Sequence, residues 1–258
     1  MKKLLFGLAL LSALAHADER MEQVQLGNSR SMNYLVEYQT DNPKYVMIAL
    51  VGGDGMIKLH EENGRLKYMT GNSMVRIRKS MADDTFVEVI PDTPSDMSVT
   101  GYTDRYRFSE DHLSDMRLLI KQVHAEYPDS KLFIMSTSQG TVSSGYLAIH
   151  MKDGEIGGII HTATLSRFIR GNGLPLWRLR YEDSKIPQLF IHDKEDNCQF
   201  TPYSEIQDIT EKHHQQLIGL SGGRPDRDDP CQAFGPHGFL GIEDQLVSEI
   251  KEWVKSRP

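Results

Sequence analysis

Apolar and polar positions along this chain follow two rhythms, and the chain switches between them repeatedly from residue 20 onward. Met21–Leu26 and Met32–Gln39 alternate in steps of two around Gly27-Asn28-Ser29, which predicts a β-hairpin. Tyr45–Val51 is a continuous apolar run that stops at Gly52-Gly53, and Phe86–Ile90 stops at Pro91-Asp92. Leu132–Met135 stops at Ser136-Thr137-Ser138, and Gly158–His161, Gln188–His192 and Gln216–Leu220 complete the strand-length runs. Runs that are apolar on both faces suit a mostly parallel sheet covered by helices.

The second rhythm is helical. Ser109 is placed to cap a helix reaching Tyr127, with Glu110 and Asp111 in its first turn and Pro128 beyond it. Leu113, Met116, Ile120, Val123 and Tyr127 give that helix one apolar face. Gln139–His150 carries Gly140, Ser144 and Ala148 on one side, which suits close packing on a sheet. Ile242, Leu246, Ile250 and Trp253 mark a last helix ending near Lys255. Strands alternating with helices after an antiparallel opening hairpin predict one α/β domain, its sheet mostly parallel, with helices on both faces. Residues 162–186 fit no clear strand and are expected to form a short cap or lid loop.

Composition narrows the function classes. The chain has 258 residues, 36 acidic and 29 basic, and 39% hydrophobic content, enough for a sizeable buried core. A net charge of -7 without any basic tract argues against nucleic acid as a partner. Residues 1–17 have the layout of a secretory signal peptide: Lys2 and Lys3, an apolar run from Leu4 to Ala15, and Ala15-His16-Ala17 as a small-x-small cleavage site. Losing that segment leaves 27 basic side chains against 36 acidic ones. Leu4–Ala15 is too short to span a bilayer, so a periplasmic or secreted protein without stable membrane insertion is expected over residues 18–258. In such a compartment Cys198 and Cys231, the only cysteines, are expected to form a disulfide.

The candidate chemistry begins at Ser136-Thr137-Ser138-Gln139-Gly140, between an apolar run and a helical pattern. A nucleophilic serine on a sharp strand-to-helix turn needs small residues two positions to either side, where the turn presses on its neighbours. Ser136 and Gly140 meet that need. The turn leaves the Ser138 hydroxyl exposed and the Gln139 N–H at a helix start, where it can stabilise an oxyanion. Val51-Gly52-Gly53-Asp54-Gly55 offers a second N–H, from Gly53 or Asp54; with Met56-Ile57-Lys58 following, it does not read as a phosphate loop. Asp193, Glu195 and Asp196 follow the run Gln188–His192, and an acid there can orient a histidine. Gly235-Pro236-His237-Gly238 puts a histidine on a tight loop before the last helix.

Serine, acid and histidine in the order Ser138, Asp196, His237 resemble the α/β-hydrolase superfamily over essentially all of residues 18–258. The resemblance implies a nucleophile at Ser138, an acid at Asp196 and a base at His237. It also implies oxyanion donors at Gln139 and Gly53. His192-Asp193-Lys194-Glu195-Asp196 matches the family's His-Gly-x-x-Asp spacing and singles out Asp196. Two departures stand out: Ser136 replaces the first elbow glycine, and Val51-Gly52 replaces the usual His-Gly. The implied activity is hydrolysis of a carboxylic ester or related acyl bond in a small-molecule substrate, with no metal or organic cofactor. Thioesterase and peptidase variants, and a non-catalytic binding protein on the same fold, remain alternatives. A Cys198–Cys231 bond would tie the acid loop to the histidine loop. His161 and His192 are expected to be packed, and His213 and His214 to be solvated. Pro91–Asp96 is expected to be a structural loop rather than pocket wall. About 57 residues between Ser138 and Asp196 leave no room for a large cap domain, so the site is expected to be open.

Overall fold

The computed structural model describes residues 18–167, 184–225 and 229–257. The predicted leader, residues 1–17, and residues 168–183 of the predicted cap lie outside them. Ten strands and six α-helices are described: β1 (Asp18–Gln25), β2 (Ser31–Tyr38), β3 (Tyr45–Leu50), β4 (His60–Glu62), β5 (Arg65–Lys67), α1 (Ser73–Met81), β6 (Phe86–Pro91), α2 (Asp104–Arg107) and α3 (Glu110–Glu126). Then come β7 (Lys131–Thr137), α4 (Gly140–His150), β8 (Ile159–Thr162), β9 (Gln188–Asp193), α5 (Tyr203–Lys212), β10 (Gln216–Leu220) and α6 (Glu243–Lys255). Eight strands form one sheet in the order β1-β2-β6-β3-β7-β8-β9-β10.

The predicted hairpin is β1–β2, and β2 also runs antiparallel to β6; every pairing from β6 through β3, β7, β8 and β9 to β10 is parallel. The two-sided apolar runs explain this, because β3, β6, β7 and β9 are buried along almost their whole length. One face is covered by α1 and α6, which supply Met74, Ile77, Met81, Leu246, Ile250 and Trp253 to a core cluster. The other face is covered by α3 and α4, through Leu113, Met116, Leu119, Val123, Leu147 and Ala148. Ile206 of α5 packs beside them on Phe190 of β9.

Ser109 does cap α3, its hydroxyl accepting from the His112 N–H. On that helix Leu119 is fully buried and Ile120 only partly, a one-residue shift from the expected apolar stripe. Thr162, expected within the cap, instead ends β8, and the residues after it are buried from Ala163 to Ser166. α1 went unpredicted, although Asn72 caps it by accepting from the Met74 N–H and Met74, Ile77 and Met81 line its buried side. The β4–β5 pair carries charged residues at four of its six positions and a histidine at a fifth, and had no apolar rhythm to announce it.

Candidate active site

The C-terminal ends of the parallel strands supply the site. Ser138 follows β7 directly and holds its backbone at φ 52°, in the left-handed region that β-carbon-bearing residues seldom occupy. Three bonds hold it there. The Ser138 N–H donates to Thr162 O at 3.1 Å, and Ser138 O accepts from the Thr141 N–H at 2.9 Å and the Thr141 hydroxyl at 2.6 Å. Gly140 is required by contact: a Cβ there would lie 2.5 Å from Leu50 O and 2.9 Å from Val51 O. The departure at Ser136 also has a reason. Its buried hydroxyl meets Ser144 Oγ at 2.6 Å, which meets His161 Nδ1 at 2.8 Å, and His161 Nε2 bonds Gln188 Oε1 at 3.0 Å. Serine at this position anchors a polar chain across β7, α4, β8 and β9.

The three sequence-selected residues come together. His237 Nε2 lies 3.0 Å from Ser138 Oγ, and His237 Nδ1 lies 3.0 Å from Asp196 Oδ2. His237 sits in a one-turn 3-10 helix, Pro236–Gly238, just before α6. Asp196 is the only one of the three acid candidates that meets it. Asp193 Oδ1 instead accepts from the Glu195 N–H, and Glu195 Oε2 from the Gly222 N–H. The remaining valences of Asp196 are filled as well: Oδ1 accepts from the Cys198 N–H at 2.9 Å, and Oδ2 from the Thr201 hydroxyl at 2.8 Å. Thr201 Oγ1 also lies 3.2 Å from His237 Nδ1, so it braces acid and histidine together. Sequence reasoning missed Thr201, since nothing local marks a threonine five residues beyond the acid.

The expected disulfide is formed, Cys198 to Cys231, with Cα atoms 4.6 Å apart. Both cysteines line the same cleft as Ser138 and His237. That cleft measures about 450 Å³. Gln139, which caps α4, lines it, as do Gly52, Gly53 and Asp54 of the loop after β3. Its walls are mostly apolar, from Met56, Ile57, Leu165 and Phe200, with Met69 and Phe234 among its most exposed residues at 52% and 55%. Asp54 is the one carboxylate lining it among the described residues. Of the arginines in the predicted cap, Arg167 pairs with Glu205, and Arg170, Arg178 and Arg180 lie outside the described residues.

Two expectations for neighbouring groups hold. His161 and His192 are fully buried, and burial pushes their imidazoles down to about 4 and about 3, so both rings stay neutral. His192 Nε2 accepts from the Thr164 N–H at 2.7 Å, which assigns the ring proton to Nδ1. Asp92 of the Pro91–Asp96 loop is structural: its carboxylate accepts from the N–H groups of Ile57, Leu59 and Thr93. His213 ends α5 and His214 follows it.

No protein-family model matches this sequence, and no curated protein matches it. Solved structures do match. An α/β serine hydrolase without a lid from Xanthomonas campestris superposes with a TM-score of 0.59 at 13% identity, over 93% of this chain and 97% of that one. This chain has the α/β-hydrolase fold. A cold-adapted esterase from an Arctic intertidal metagenomic library has a TM-score of 0.61 at 11% identity, over 94% of this chain and 95% of its own. The acylaminoacyl peptidase of Pyrococcus horikoshii reaches 0.60 at 12% identity, over 94% of this chain but only 41% of its own. In the α/β-hydrolase fold of this chain, the antiparallel hairpin at one edge and the parallel run to β10 put the ends of β3 and β7 side by side, with the end of β9 one strand further on, across β8.

Proposed function

We propose that the protein is a serine hydrolase that cleaves a carboxylic ester or related acyl bond. The observation that carries this reading is the continuous chain from Ser138 Oγ through His237 to Asp196, with 3.0 Å at each link. Asp196 takes the Nδ1 proton of His237 as a hydrogen bond, which leaves the Nε2 lone pair facing the Ser138 hydroxyl. His237 Nε2 then removes the Ser138 proton as Oγ attacks the acyl carbon. The tetrahedral oxyanion is held by the N–H groups of Gln139 and the Gly53 loop, and the imidazolium by Asp196. Return of the proton from His237 to the leaving group completes the acyl-enzyme. A water deprotonated by His237 then releases the acid.

Among the described residues the walls of the cleft are mostly apolar, which supports an uncharged acyl substrate. Export belongs to the same reading: the Cys198–Cys231 bond supports an oxidising compartment, where such bonds persist. The test is steady-state hydrolysis of p-nitrophenyl esters of increasing acyl length. Turnover is expected, with Ser138→Ala lowering kcat by about 10⁴-fold or more while leaving the fold intact. Turnover that survives Ser138→Ala, or no turnover of any ester or thioester, would overturn it.

A further inference from the structure

Arg107, at the end of α2, is the largest fully buried side chain in the described structure, with 1% of its surface exposed. Burying a guanidinium is costly unless its charge and its donors are answered. No carboxylate among the described residues forms an ion pair with it; Asp54 and Asp104 act on it only through space. Burial draws it down to about 10, so it is still a cation at neutral pH.

Its donors go instead to the two elements that carry the proposed oxyanion donors. Nη2 donates to Gly53 O at 2.9 Å, and Nη1 donates to Ser143 Oγ at 3.0 Å. Gly53 belongs to the loop after β3. Ser143 lies in the first turn of α4, the helix headed by Gln139. The same segment grips the loop a second time, because the Tyr102 N–H donates to Asp54 O at 2.7 Å. Both carbonyls of the loop tip are therefore turned back into the protein. In a planar trans peptide the N–H points opposite to the carbonyl, so the Asp54 N–H is turned away from Arg107. Shape reinforces the grip. A Cβ on Gly55 would lie 2.2 Å from Tyr102 Cδ2 and 3.1 Å from Arg107 Nη2, and the guanidinium stacks on the Tyr102 ring at 4.9 Å.

We propose that Arg107 is a positioning residue for the oxyanion hole, fixing the Gly53–Asp54 peptide against α4 and so setting the spacing between the loop's N–H donors and that of Gln139. Its positive charge on the carbonyl side of that peptide also strengthens the peptide's N–H as a donor. This rests on the serine-hydrolase reading. Arg107 touches no substrate and acts through the backbone it holds.

The test compares Arg107→Lys, Ser143→Ala and Ser138→Ala in the full chain, with folding checked by circular dichroism and thermal melting. Arg107→Lys keeps the charge but loses the fork that reaches two acceptors. We expect a kcat loss of about 10- to 100-fold with KM within about threefold, somewhat less than removing an oxyanion donor outright. Binding of a trifluoromethyl ketone, which forms a tetrahedral adduct on the serine, should weaken by the same factor. Ser143→Ala, a milder change that removes one acceptor, should lose about threefold in both. A folded Arg107→Lys protein with unchanged kcat and ketone binding would overturn the inference, as would a lowered melting temperature alone. If Arg107→Lys does not fold, an unchanged Ser143→Ala enzyme overturns it. Full activity in Ser138→Ala instead removes the hydrolase reading, and this inference with it.

Discussion

Asp196 has two carboxylate oxygens and three donors aimed at them, and the allocation decides how His237 is held. Oδ1 takes the Cys198 N–H; Oδ2 is shared by the Thr201 hydroxyl and His237 Nδ1. Without the Thr201 hydroxyl, Oδ2 keeps only the imidazole, and the carboxylate is freer to rotate about its Cβ bond. Thr201→Val, which keeps the shape and removes the donor, should lower kcat about tenfold with KM unchanged, at a cost of about 1 kcal/mol in stability. Ester hydrolysis and urea unfolding of the two proteins check both numbers. At this scale Ser138, Asp196 and His237 were legible because a strand-to-helix serine, an acid after a strand and a histidine on a glycine loop each carry a local mark. Thr201 and Arg107 carry none. Their roles exist only once the chain has folded, since Arg107 meets Gly53 from 54 positions away. Ser136 was legible as a departure, and its reason, a hydroxyl anchoring Ser144 and His161, needed the neighbouring strands.

Asp196 and His237, the proposed acid and base, lie on the segments that follow β9 and β10, His237 in its one-turn 3-10 helix. What joins them is Cys198–Cys231, a bond across 33 residues that lies two positions from Asp196 and six from His237. Closing a loop of that length restricts the unfolded chain by about 3–4 kcal/mol on the chain-entropy account. The double substitution Cys198→Ser, Cys231→Ser should therefore lose about that much stability and lower kcat more than it alters KM, because the acid and histidine loops lose their common tie. Denaturant unfolding and kinetics of the purified variant measure the two effects separately. Strands β3, β7 and β9 could be read from continuous apolar runs, helices α3 and α6 from apolar period, and α4 from its face of small residues. Sheet order could not, because β6 inserts between β2 and β3 through pairing of residues 41 to 57 positions apart, which no local pattern encodes. The capping of α1 by Asn72 was a readable signal that its basic outer face obscured.

Across the whole molecule, the interior holds ionisable groups whose protonation opposes unfolding in opposite directions. His112, His161 and His192 are fully buried, and burial pushes them down to about 3, 4 and 3. Each is neutral when folded and takes up a proton when it unfolds below pH 6.5. Their contribution is present above pH 6.5 and is lost as pH falls toward the folded values. Glu88 and Glu37, paired across β6 and β2, are pushed up, chiefly by burial, so their contribution has the opposite sign: it is present below their unfolded values and is lost as pH rises. His112 is the simplest handle, since neither ring nitrogen has a hydrogen-bond partner among the described residues and the ring packs edge-on against Tyr102 and Tyr106. His112→Phe should flatten the fall in melting temperature between pH 6.5 and pH 4, and a pH series of melts on both proteins measures it.

Ser138 Oγ lies at the meeting point of β7, α4 and the histidine loop. Labelling the folded protein with a fluorophosphonate and sequencing the modified peptide by tandem mass spectrometry interrogates that atom directly. A single adduct on Ser138, absent from Ser138→Ala and greatly slowed in His237→Ala, is the predicted result. An adduct on any other residue, or none on the folded protein, would contradict it.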